Sequence, residues 1–114
     1  ERLSDVTPIE KLAAHFHDTQ GLGLANAYAA IEAGVRTLDS SVAGLGGCPF
    51  APGAAGNLAT EDLVLLAHKM GLQTGIDLDR LWDAVEIAGG LVGRDVGGRS
   101  AAWWRSSRNK GEAA

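Results

Sequence analysis

The chain has 114 residues, enough for one modest domain, and 46% of them are hydrophobic, which places it outside the disordered class. A formal net charge of −4 and a pI near 5.2 argue against nucleic acid as the main partner, and no apolar run approaches the roughly 20 residues a membrane helix needs. The single cysteine excludes an internal disulfide framework and points to a reducing, intracellular compartment.

The opening, ERLSDVTPIEK, is polar and charged and lacks an initiator methionine. It carries no secretory signal and reads as the start of a processed or truncated piece. KLAAHFHD, residues 11–18, predicts a short strand closed by Asp18 and Thr19, which can cap a following helix. Leu24, Ala27, Tyr28 and Ile31 fall at helical spacing, and Gly34 sits where a left-handed cap belongs. VRTLDSSV, residues 35–42, predicts a second strand, and a glycine-rich loop follows it. Thr60 opens a helix whose first turn holds Glu61 and Asp62, complementing the positive end of the helix dipole. Gly71 ends it. Leu78, Leu81, Trp82, Val85 and Ala88 line one face of a last helix over residues 78–92, weakened near its end by Gly89 and Gly90. Residues 1–93 carry five basic against twelve acidic groups, and residues 94–114 five against two. Residues 93–114 are therefore expected as a solvated basic tail on a domain formed by residues 1–92.

The order strand, helix, strand, loop, helix, helix predicts an α/β protein with parallel strands. Two strands are too few for such a sheet, which must be covered on both faces, and a closed (β/α)₈ barrel takes roughly 250 residues. The chain reads as part of a larger structure.

Four residues draw attention on chemical grounds. His15 and His17 are two apart on a predicted strand, so both point to one face at the strand's C-terminal end, where α/β folds form sites. Two converging imidazoles suit a metal ion, although H-x-H alone is equally compatible with two satisfied polar side chains. Cys48 follows Gly44, Gly46 and Gly47 and precedes Pro49, a loop able to move and to approach a ligand closely. A thiol there can act as acid, base or nucleophile. Asn57 precedes a helix and reads as a cap or as an amide ligand. Asp39 reads as a turn carboxylate and His68 as a surface residue.

HFHDTQGLGLAN and VRTLDSSVAGLGGCPFAPGAAGNLATEDLV, with the spacing between them, resemble the 3-hydroxy-3-methylglutaryl-CoA lyase family, metal-dependent (β/α)₈-barrel enzymes. The likeness runs from about Lys11 to Val92. It implies the C-terminal portion of a TIM barrel, about strands six to eight with the following helices. It also implies His15, His17 and Asn57 as ligands of Mg²⁺ or Mn²⁺, and Cys48 with His15 as catalytic residues. The implied reaction is retro-aldol cleavage of an acyl-CoA substrate in the bacterial cytoplasm or mitochondrial matrix, by an enzyme that is dimeric when complete.

Gln20, Leu22, Phe50, Pro52 and Ala55 depart from the common family pattern and leave open a related 3-hydroxy-3-alkylglutaryl-CoA. An acetyl-CoA-condensing synthase is the next reading and a noncatalytic interaction fragment the third. The family's early strand, with an acidic ligand beside an arginine, has no match here, so the chain alone is expected to be inactive. Arg94, Arg99 and Arg105 are candidates for coenzyme A phosphates, with Trp103 and Trp104 packing on a neighbouring subunit.

Overall fold

The computed structural model describes residues 5–46 and 56–113, with side chains to residue 108. Two short parallel strands, β1 (Ala13–His15) and β2 (Thr37–Asp39), flank helix α1 (Gly23–Glu32), and helices α2 (Thr60–Lys69), α3 (Leu78–Val92) and α4 (Ala101–Ala113) follow. The pairing register places Ala13 opposite Thr37, Ala14 opposite Leu38 and His15 opposite Asp39. This is the expected strand–helix–strand unit. Among the described residues no helix is long and apolar enough to cross a membrane.

Helix α1 buries Ala27 and Ile31 and half-buries Leu24, while Tyr28, the third residue of its apolar stripe, lies on the exposed side. It stops at Gly34, whose φ of 109° is open to glycine at little cost. Helix α3 is capped by Asp77, whose Oδ1 accepts from the N–H groups of Asp79 at 2.9 Å and Arg80 at 3.3 Å. Gly89 and Gly90 do not end α3; it continues to Val92 and closes on Gly93 in the left-handed conformation. Gly89 has a packing reason, because a β-carbon there would meet the Arg94 carbonyl oxygen at 3.1 Å as the chain turns back.

Both strands are shorter than expected, and beyond their C-terminal ends a third segment takes over the pairing. Residues 56–60, expected as loop and helix start, thread between them. Leu58 N–H donates to Phe16 O at 3.0 Å, and Ser41 N–H donates to Leu58 O at 3.1 Å. Isolated bridges pair His17 with Asn57 and Ser41 with Ala59.

Two apolar clusters result. Ala27, Leu58 and Leu63 pack with Phe16, Leu24, Leu38 and Leu66 between the strands, α1 and α2. Trp82, Val85, Val96, Ala101 and Ala43 form the second cluster, against Leu45 and Trp104. The region expected as a basic tail, residues 93–114, thus supplies core residues and a helix. Its charge count hid a stripe of Ala101, Trp104, Arg105 and Arg108 at helical spacing. Trp104, expected against a neighbouring subunit, stacks on Trp82 of the same chain, with centroids 5.3 Å apart and planes 6° from parallel. Trp103 remains half exposed at 51%.

Candidate active site

The parallel ladder dictates where the histidines stand. Alternation along β1 turns Ala14 inward and leaves Ala13 and His15 exposed, and β2 repeats this with Leu38 inward and Thr37 and Asp39 exposed. Two residues beyond His15, His17 shares its face and is fixed by its bridge to Asn57. His15 Nε2 and His17 Nε2 lie 3.2 Å apart, with the rings edge to face. Two nitrogens bound to one ion at adjacent positions stand about 3.0–3.4 Å apart, so the pair fits as two neighbouring ligands.

Asn57 is brought to the same place by its backbone. Its Nδ2 donates to Leu45 O and Gly46 O, both at 3.1 Å, which leaves Oδ1 as the atom able to face a cation. Its own N–H donates to Gly46 O at 3.2 Å. The glycine-rich loop therefore leaves and returns at one point, beside the imidazoles. The close fit is possible because residue 56 is glycine: a β-carbon there would collide with the Gly44 carbonyl oxygen. Cys48 lies outside the described residues, two positions after Gly46 in the chain.

Asp39 was expected as a turn carboxylate. Its Oδ1 instead accepts from His15 Nδ1 across the strand pair, with side-chain exposures of 70% and 48% placing both on the open face. Their direct opposition in the ladder is the cause, and it depends on a register that strand spacing alone does not reveal. Among the described residues no group of three or more His, Cys, Asp or Glu side chains is placed to hold a metal ion. His15, His17 and Asn57 would supply half of an octahedral shell.

The turn after His17 is held by Asp18. Its Oδ1 accepts from the N–H of Gly23, the first residue of α1, at 3.0 Å, although the helix's N-cap position is Leu22, and its Oδ2 accepts from Arg99 Nε at 2.6 Å. Arg105 is occupied too, by Glu86 at 3.0 Å and by the Val96 carbonyl at 2.7 Å. Of the three arginines expected near phosphates, Arg94 and Arg105 line a cleft of about 450 Å³ between Gly44–Gly46, Gly56 and residues 94–97. Arg99 points instead to the turn beside the histidines. His68, expected on the surface, is exposed there, with Nε2 2.9 Å from Thr74 Oγ1.

Comparison with known proteins gives the family. The model of the HMGL-like family matches residues 1–87. A hydroxymethylglutaryl-CoA lyase of Pseudomonas mevalonii is 62% identical over 72 residues, covering 63% of this chain and 24% of that protein. A 3-hydroxy-3-isohexenylglutaryl-CoA/hydroxymethylglutaryl-CoA lyase of Pseudomonas aeruginosa is 46% identical over 101 residues, covering 89% of this chain and 34% of that protein. The solved structure of an HMG-CoA lyase from Acinetobacter baumannii, in complex with coenzyme A and 3-methylmalate, superposes with a TM-score of 0.80 at 46% identity, over 88% of this chain and 33% of that one. The chain thus spans about a quarter to a third of the length of the relatives it matches. Its α/β architecture is that of part of the TIM barrel of these lyases. With the family model matched from residue 1 to residue 87, this chain belongs to the HMGL-like family.

Proposed function

We propose that this chain carries the ion-binding and thiol-bearing part of a 3-hydroxy-3-methylglutaryl-CoA lyase active site, corresponding to about strands six to eight of the barrel. The observation that carries the proposal is the 3.2 Å approach of the His15 and His17 Nε2 atoms beside Asn57, where the loop bearing Cys48 starts and ends. His15, His17 and Asn57 would hold Mg²⁺ or Mn²⁺, which when bound polarises the substrate's tertiary hydroxyl. Both ring nitrogens of His15 are engaged, Nδ1 by Asp39 and Nε2 beside His17, so its catalytic part is to hold the ion's place.

In the reaction the hydroxyl gives up its proton to a base and its oxygen becomes the ketone of acetoacetate. The electron pair of the broken C–C bond passes to the enolate of acetyl-CoA. Cys48 supplies the proton that this carbon needs. The cleft lined by Arg94 and Arg105 is the candidate path for the coenzyme A moiety, and the coenzyme A complex of the Acinetobacter relative supports that class of ligand.

The test is acetoacetate release in a polypeptide joining this segment to the family's acidic–arginine strand. Turnover dependent on Mg²⁺ or Mn²⁺ is expected, with Cys48→Ala lowering kcat by about 10²–10⁴-fold. Full activity of that variant would remove Cys48 from the mechanism. The 114-residue chain alone is expected to show no turnover. A related substrate is the second reading. Phe50 and Pro52 stand where the family commonly has tyrosine and glutamine, and the P. aeruginosa relative is named for two acyl-CoAs. Assaying both acyl-CoAs side by side decides between them.

A further inference from the structure

We infer that Asp39 is a positioning residue for His15, fixing which of its ring nitrogens faces the ion site. This rests on the ion-binding reading above. A neutral imidazole carries one N–H, and the hydrogen bond made by one nitrogen decides the role of the other. His15 Nδ1 meets the Asp39 carboxylate, which only accepts, so the proton sits on Nδ1 and Nε2 is left bare. That bare nitrogen is the one 3.2 Å from His17 Nε2. The carboxylate also fixes the plane of the ring, because the backbone ladder holds Asp39 directly opposite His15.

His17 has no such partner among the described hydrogen bonds. Without an ion, its Nε2–H is the one available to donate to the bare His15 Nε2. The two histidines are therefore unequal: His15 is set in advance as a ligand, whereas no carboxylate fixes the tautomer of His17 among the described hydrogen bonds. Carboxylate support of this kind typically changes ion affinity by about 10- to 100-fold.

Two measurements on the 114-residue chain test this. Long-range ¹H–¹⁵N spectra in EDTA read the tautomers of its three histidines, and free Mn²⁺ followed by electron paramagnetic resonance reads affinity. In the wild-type chain His15 is expected as the Nδ1–H form. Asp39→Ala is expected to mix its tautomers and to weaken Mn²⁺ binding by about 10- to 100-fold. Asp39→Asn, which keeps an accepting oxygen, is expected to retain the tautomer with a smaller loss, and it serves if the alanine variant does not fold. An unchanged His15 tautomer in Asp39→Ala overturns the inference, as does unchanged affinity where His15→Ala weakens binding. If the wild-type chain binds Mn²⁺ and His15→Ala leaves that binding unaltered, the ion site itself is refuted along with the role assigned to Asp39; the tautomer of His15 is read whether or not the ion binds.

Discussion

Glu61 holds together two stretches far apart in the chain. Its Oε1 accepts from the Ala43 N–H and its Oε2 from the Gly98 N–H, both at 2.9 Å, and the side chain is fully buried. Asp62 beside it accepts from the N–H groups of Arg99 at 2.7 Å and Ser100 at 3.0 Å, and from the Ser100 hydroxyl. The two carboxylates therefore fix both the base of the glycine loop and the chain's return toward Asp18. Glu61→Gln replaces one accepting oxygen by an amide that cannot accept, leaving a buried N–H unpaired. A loss of about 1–3 kcal/mol is expected in urea unfolding, and a wild-type midpoint would contradict it. The sequence placed both acids correctly in the first turn of a helix. It could not show their partners, because Gly98 lies 37 residues away from Glu61 and no local pattern encodes that contact. The same limit applies to Asp39, whose partner follows from strand register, whereas the His15–His17 pair needed only the two-residue strand period.

At the scale of elements, periodicity revealed most and charge misled. The apolar faces of α1 and α3 were legible because 3.6-residue spacing survives in Leu24, Ala27 and Ile31 and in Trp82 and Val85. The strand ends were not, since the 56–60 segment takes over their pairing, a tertiary choice. Helix α4 was concealed by its two arginines, which face acidic residues of α3: Arg105 meets Glu86 at 3.0 Å and Arg108 meets Asp83 at 3.4 Å. These exposed pairs add little stability, and the Trp82–Trp104 stack is the stronger attachment. Trp104→Ala is expected to cost about 3 kcal/mol and to reduce far-ultraviolet helicity as α4 loosens. An unchanged helical signal and melting temperature would show that α4 is held by something else.

The whole molecule is a slab with extents of 53 × 37 × 20 Å. Its accessible surface is 7413 Å², against roughly 5,900 Å² for a compact protein of 11.8 kDa. Much of the open sheet face is polar or small, with Ala13, His15, Thr37 and Asp39 exposed, although parallel strands normally have both faces covered. Exposed apolar groups on α3, Ile87 at 65% and Leu91 at 83%, add to the uncovered surface. Self-association at micromolar concentrations is therefore expected in sedimentation velocity. A single monomeric species over that range would show that the slab is satisfied alone. The sequence foresaw this in outline, because two predicted strands cannot close a barrel.

The knot of hydrogen bonds joining Gly46 to Asn57 has a consequence for how such a site can diversify. Both stems are tied beside the imidazoles, whose register follows from the strand pairing and from the bridge of His17 to Asn57. Doubling the length of a flexible insert raises its closure cost by only about 0.6 kcal/mol. Added length between two stems fixed in this way therefore costs little, and the framework of His15, His17 and Asn57 beneath it can be inherited unchanged.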